Sequence, residues 1–513
     1  MRFAGRVFPE PISPLSRGAR CLLARIPPDI LDRMNRPGAT VKAAGGLQPS
    51  LRPFVPFLAA LWVAEMTGAF ESAMILAAMK PLIEDFGSPV LVGWLITSYL
   101  IVGAASAAIV GRLGDLFGRR RILVVTLFIA LIGSLISAYA INFPMLLAGR
   151  VLQGLTGAVL ALCVGLVREN MPEPLVPMGI GLMISGASIG TAAGLVVGGW
   201  IADNFSWHGL FLASAAFCAA TIVAIMAAVP ASRRGVAGQP VDWLSGILFA
   251  PGVMLLLYYA GSIAAVGLLA PLPLLAGVTG LALILIWVWR SLSSAHPLLD
   301  VRQFRNREVL VANGITAVVS MSSLQLPVIF SVLLQAPLWT GLGLGLTAFA
   351  AGLAKLPSSI LSTFAGPLSG WMTGRGGGRT TMIFGGLLAS VGWLLLYFLH
   401  GSVLTVILVV CVISFGTTIL FAVGPTIVAQ AVTDDRTSEA SGMLSVVRGL
   451  FQGIGAMMVT SLLAMDVVAD TGSKATYPTE FAFQVTIAVL VLLNLLAMTI
   501  ALWLPRNDRR QGF

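Results

Sequence analysis

Histidine and cysteine are scarce, with 3 and 4 copies among 513 residues. Cys21, Cys163, Cys218 and Cys411 stand singly, three of them inside apolar runs. That spacing supports neither a disulfide framework nor a thiolate metal site, and it fits small buried hydrophobes. None of His208, His296 and His400 falls in the middle of an apolar run. Charge is thin as well: 10% of residues are Asp, Glu, Lys or Arg, against about 25% in ordinary globular proteins. No G-x-x-x-x-G-K-[ST] occurs, so any pumping must draw on an ion gradient instead of ATP. Residues 1–53 are basic and proline-rich and lack the compact apolar core and cleavage site of a secretory signal. They read as a poorly ordered tail touching anionic lipid, or as untranslated sequence upstream of a start at Met34.

What is abundant is apolar length. The chain is 57% hydrophobic, and runs of eighteen or more apolar residues recur, each able to cross a bilayer core ~30 Å thick. A pI near 10 could suggest nucleic acid, but the basic residues sit between apolar runs without clustering aromatics. Nucleic acid is therefore excluded as a partner, and the lipid bilayer is the expected surroundings.

The runs predict fourteen spans: 54–79, 90–110, 122–140, 143–167, 176–201, 209–230, 244–266, 271–290, 309–334, 343–372, 380–399, 403–431, 438–467 and 480–504. Both termini then share a side. With an inner N-terminus, seventeen loop and C-tail Lys and Arg fall inside, and only Lys80 and Lys474 outside. This asymmetry obeys the positive-inside rule and predicts cytoplasmic termini in the cell (inner) membrane.

One cytoplasmic segment breaks the apolar pattern: Gly111-Arg-Leu-Gly-Asp115-Leu-Phe-Gly118-Arg119-Arg120-Arg121. Topogenic charge explains its arginines. It does not explain the acid, or glycines 111, 114 and 118, which permit a tight turn and close backbone approach. The stretch resembles the G-x-L-a-D-r-x-G-r-[KR] loop of the major facilitator superfamily. In that family the loop is a cytoplasmic latch, so the resemblance makes Asp115 and Arg119 the latch pair, with Gly111, Gly118 and Arg120 around them. Helix 4 is similar to the family's R-x-x-Q-G element: Arg150, Gln153, Gly154 and Gly157 share one face. In antiporters this element is linked to proton transfer.

Helix 5 carries Gly186, Gly190, Gly194 and Gly198 at four-residue steps, then Gly199. Such a stripe permits close helix packing. Residues 194–199 also resemble the exporters' G-P-x-x-G-G motif, with Leu195 at the proline. Asp242-Trp243-Leu244 and Pro297–Asn306 resemble the fourteen-span drug:proton antiporter branch. In the second half, Gly370–Arg379 stands at the equivalent latch position with Gly374 where an acid is usual, and reads as a structural turn. The resemblance covers roughly residues 54–504.

A proton-coupled carrier needs a titratable group within a span. Helix 1 offers Glu65 and Glu71, six residues and about 240° apart. The branch carries an acid about nine residues before a proline, and Glu71 lies ten before Pro81. Glu71 is therefore the favoured proton carrier and Glu65 the alternative, either one pairing with Arg150. Lys355, in helix 10, is a candidate for the cavity lining, where it would favour anionic or zwitterionic cargo. Gln153 is a further cavity candidate, and Arg448 and Gln452 share a face as packing or gating groups.

The implied fold is an all-α integral membrane protein. Bundles of inverted repeats at 54–230 and 309–504 would be joined by a linker with two inserted helices at 231–308, with tails at 1–53 and 505–513. The implied function is proton-coupled export of small amphiphilic or toxic compounds by alternating access, with no cofactor, metal or catalytic residue. Its partners would be protons, a small-molecule substrate and, as a candidate, a periplasmic adaptor protein on a monomeric transport unit. A nutrient uptake carrier and a non-transporting scaffold are the alternatives. The glycine motif weighs against the first, and buried charge against the second.

Overall fold

The computed structural model describes residues 51–504 apart from 78–81, 83–84, 87–88, 233–242, 268, 296, 347 and 470–475. Residues 1–50 of the basic tail, with Met34 and Cys21, and Lys80, Pro81, Asp242, His296, Lys474 and residues 505–513 lie outside the described residues. So do Arg233 and Arg234.

In lipid every backbone polar group must find a partner within the protein, and helices are the simplest solution. Six come first: α1 (Val55–Ala77), α2 (Pro89–Phe117), α3 (Arg119–Ala138), α4 (Phe143–Asn170), α5 (Val176–Asn204) and α6 (His208–Ala228). Next are α7 (Trp243–Val266) and α8 (Pro271–Ser293). Then follow α9 (Arg307–Gln335), α10 (Ala348–Phe398), α11 (Val403–Ala431), α12 (Thr437–Leu463) and α13 (Glu480–Ala501). Side-chain caps mark several starts. Asn142 accepts from Met145 N at 2.9 Å, Asn306 from Glu308 N at 2.9 Å, and Thr479 from Ala482 N at 3.2 Å. Among the described residues, twelve helices are long and apolar enough to cross a membrane. The chain is an all-helical, multi-pass membrane protein.

Four boundaries differ from the apolar runs. The charged stretch 111–121 is mostly helix: α2 continues to Phe117, and only Gly118, at φ 99°, breaks the chain before α3. Gly111 and Gly114 stay helical, and their small size serves packing instead of turning. The second-half counterpart is likewise helical up to Gly377, where φ is 81°. The tenth run begins at Ala348, five residues later than its hydropathy suggests, because Gly341 and Gly345 take positive φ ahead of it. α12 ends at Leu463, and Val467–Ala469 then pairs antiparallel with Thr476–Pro478.

Helices α1–α6 pack on one another, as do α9–α13. The strongest first-half contact is α1 on α5. Cβ atoms on Gly186, Gly190 and Gly194 would stand 2.9, 2.6 and 2.6 Å from the carbonyls of Trp62, Met66 and Phe70. Glycine is thus required for backbone-to-backbone approach, and this fixes the rotation of α1 and therefore the direction of its acids. Two small-residue seams join the halves. On one, α2 meets α12 where Ala107 and Ala108 touch Gly442 and Gly111 touches Ser438. On the other, α5 meets α10 where Gly181 lies against Gly366 and Gly370 against Pro177 and Met178. α7 packs on α8, α2 and α12, whereas Leu272, Leu275, Leu285 and Trp289 of α8 are each at least 60% exposed, as expected of a lipid-facing helix.

Candidate functional site

Three groups of polar residues lie in this apolar frame. The first closes one end of the two seams. Asp115, in the last turn of α2, accepts from the backbone N–H groups of Ser438 and Glu439 at 3.3 and 2.9 Å. These are first-turn donors of α12, left without helical partners, and an anion placed there satisfies them. Arg119 braces the acid, its Nε 2.8 Å and its Nη2 2.7 Å from Asp115 Oδ1. Arg119 also donates to Ser438 Oγ at 3.0 Å, to the Asp434 carbonyl, and to the Gly165 carbonyl at 3.0 Å. Gly165 is small because a Cβ there would strike Arg119 and Ser438.

Sequence reasoning placed Asp115 and Arg119 but missed their partners. Arg112 donates to the Asp435 carbonyl at 3.1 Å and lies 3.5 Å from Glu439. Glu439, fully buried, also takes the Asp300 backbone N–H at 2.7 Å and Arg436 at 3.3 Å. Arg168 meets Asp434 at 2.6 Å. The available signal was the acid-rich opening of α12, Asp434-Asp435-Arg436-Thr437-Ser438-Glu439, which has the composition of a helix N-terminus. Arg120 turns away from this cluster. Its backbone N–H reaches Ser232 Oγ at 2.8 Å and its Nη2 the Met226 carbonyl at 2.6 Å, at the end of α6.

The second group surrounds Glu71, which is 2% exposed. Its Oε1 accepts from Ser214 Oγ at 2.7 Å, Ser134 Oγ at 3.4 Å, Gln153 Nε2 at 3.4 Å and the Cys218 thiol at 3.6 Å. Its Oε2 takes the Thr156 hydroxyl at 3.5 Å. Arg150 joins through Gln153, donating to Gln153 Oε1 at 2.9 Å. It makes no direct ion pair with the acid, because its guanidinium lies over the Tyr99 ring at 4.5 Å and donates to the Leu95 carbonyl at 3.1 Å. Ser134, Ser214 and Cys218 gave no signal in the sequence, since isolated hydroxyls and thiols in spans are common packing residues.

The third group lines the space between the halves, two adjoining cavities of about 510 and 610 Å³. Glu65, Arg448 and Gln452 line both, and Lys355 lines the smaller. Arg448 is the opposite charge that acts on Glu65 across this space. The lining extends to Thr97 near the start of α2 and to Met457 and Thr460 near the end of α12, away from the Asp115 cluster. Tyr99 and Thr156 also line it, and their hydroxyls are 2.8 Å apart. Thr156 therefore touches the cavity on one side and Glu71 on the other. The two helix-1 acids thus occupy different compartments, as their angular separation requires, and Arg150 serves Glu71 alone. Of the glycine motif, Gly190 and Gly194 hold α1, Gly198 is buried, and nothing stands within 4 Å of a Cβ at Gly199.

Two helical halves around a shared cavity, closed at one end by charged side chains on backbone groups, make up this multi-pass membrane protein. The family model for the Major Facilitator Superfamily matches residues 61–456, so the chain belongs to that superfamily, a family of transporters and not of enzymes. It is 28% identical over 339 residues to the "Multidrug resistance protein B homolog" of Mycobacterium tuberculosis, covering 64% of this chain and 61% of that protein. It is 27% identical over 384 residues to the "Lincomycin resistance protein LmrB" of Listeria monocytogenes, covering 73% of this chain and 78% of that protein. The fold matches the human organic anion transporter MFSD10 at 14% identity with a TM-score of 0.63, over 88% of this chain and 100% of that one.

Proposed function

We propose that the chain is a proton-coupled antiporter of the fourteen-span drug:proton branch, exporting small amphiphilic compounds across the cell membrane. The observation that carries this reading is the placement of the two helix-1 carboxylates, one in the cavity and one sealed behind it. Glu65 meets cargo and is balanced by Arg448. Glu71 is surrounded by hydroxyl, amide and thiol donors without a direct cation, so a proton is the neutralising partner its site does not itself hold. The Tyr99 and Thr156 hydroxyls give that proton a route from the cavity. Protonation of Glu71 biases the chain toward opening at the latch end, and cargo entering there favours proton release and closure. Cargo drives the cycle only through its different affinity for the two states.

Export as the direction is supported by the similarity to the two resistance proteins and by the glycines that clamp α1 to α5. Fourteen crossings follow if α10 is divided at Gly377 and the 24-residue α7 is added to the twelve candidates. The charge asymmetry then makes the latch end cytoplasmic, and the division into bundles at 54–230 and 309–504 with an inserted pair between them follows.

Everted vesicles holding a proton-sensitive dye test the coupling. Adding an amphiphilic cargo dissipates the pH gradient in wild-type vesicles; in Glu71→Gln vesicles it does not, although the protein reaches the membrane normally. Persistent coupling in that variant moves the proton to Glu65, and a gradient untouched by any cargo in wild type ends the antiport reading.

A further inference from the structure

We propose that the second-half wall of the cavity is a cradle for an oxyanion, centred on Lys355, and that the cargo carries a carboxylate, sulfonate or phosphate group on an apolar body. The proposal rests on the transport reading of the cavity and names the class of compound it takes. Lys355 lines the cavity, and among the described residues no carboxylate lies within 4 Å of its ammonium group. Its Nζ stands 5.6 Å from the centre of the Phe330 ring, a contact much weaker than an ion pair. The other cavity cation, Arg448, shares the lining with an opposite charge that acts on it, Glu65, so Lys355 carries the unbalanced charge. A lysine at membrane depth without a counter-ion is costly, and an anionic ligand offsets that cost.

The surroundings of Lys355 supply the rest of such a site. Ser359 and Ser362 follow it at i+4 and i+7 on one face of α10 and line the same cavity. Their hydroxyls, with that of Ser414 across from them on α11, have no hydrogen-bond partner among the described residues and are free to donate. Among the described residues, no Asp or Glu from α9, α10 or α11 lines this wall, and the one acid lining the cavity, Glu65, belongs to the opposite half. The space is therefore bipolar, with its anion-accepting pole on the second half and apolar side chains such as Leu326 and Phe421 between the poles.

A matched pair of dyes tests this: 8-anilinonaphthalene-1-sulfonate, and N-phenyl-1-naphthylamine, which has the same rings without the sulfonate. Equilibrium binding is measured by calorimetry on the full chain in lipid nanodiscs, with empty discs subtracted. Wild type is expected to bind the sulfonate at least tenfold more tightly than the amine. Lys355→Gln should abolish that preference and leave amine binding within threefold, and Lys355→Arg should restore it. The proposal is overturned if wild type binds the two dyes equally, shows no saturable sulfonate binding, or keeps its preference as Lys355→Gln. Binding is measured without transport, so a failure of export with the preference intact sinks the antiporter reading and leaves the cradle standing.

Discussion

The Asp115 contact with α12 gives a quantitative handle on the proposed latch. In Asp115→Asn the side-chain volume is kept and the charge removed. Two charge-assisted hydrogen bonds cross between the halves, to Ser438 N and Glu439 N at 3.3 and 2.9 Å. Hydrogen bonds to charged groups contribute about 1.5–3 kcal/mol and neutral ones about 0.5–1.5 kcal/mol. An asparagine carbonyl can keep one neutral bond in place of the two charged ones, so about 2.5–4.5 kcal/mol is lost there. The attraction of the acid for the helix N-terminus is already contained in those charged bonds. A loss of that size is a shift of roughly 60- to 1,500-fold toward opening at this end. The Arg119–Asp115 pair lies within the first half, so its weakening does not count toward the shift.

Spin labels on cysteines at Glu173 and Gly376, both exposed at this end, would report the opening by electron–electron double resonance with the native cysteines replaced. Wild type should show a dominant short distance, and Asp115→Asn a longer one that becomes a major population. An unchanged distribution would refute the reasoning, since the contact with the α12 start would then not set the balance between the states.

Three further outcomes follow from packing and caps. Gly194→Ala places a methyl 2.6 Å from the Phe70 carbonyl and should destabilise the protein by about 1–3 kcal/mol, seen as a lower midpoint in thermal unfolding. Gly199→Ala, with nothing within 4 Å, should leave that midpoint within a degree or raise it slightly. Asp300→Ala removes the bond to Arg302 N at 3.0 Å and the contact with Arg436 at 3.4 Å. It should loosen the 300–306 segment by about 1 kcal/mol, read as faster amide exchange there with helix content unchanged.

The apolar runs made the helices legible, because a span must bury its backbone and expose apolar side chains whatever its neighbours do. The ends of helices were less so. Gly111 and Gly114 look like turn residues, yet their lack of Cβ is used for packing against Ser438 and Leu162, and a helix–helix contact leaves no local trace in one sequence. The Arg150 and Gln153 face was readable from its spacing. Which acid it serves was not, because that depends on how the glycines of α5 rotate α1. Glu439 went unread because its partners Arg112 and Asp300 are each more than a hundred residues away in the chain.

The lock between the halves is chemically lopsided. α2 and α3 supply ionised side chains, whereas much of what the other half offers is peptide groups: Ser438 N, Glu439 N and the carbonyls of Asp434 and Asp435. Such a clasp recognises where a helix begins more than which residues begin it. Drift at 434–438 that preserves the helix start should therefore be tolerated, while a one-residue insertion there, rotating those amides out of line, should release it.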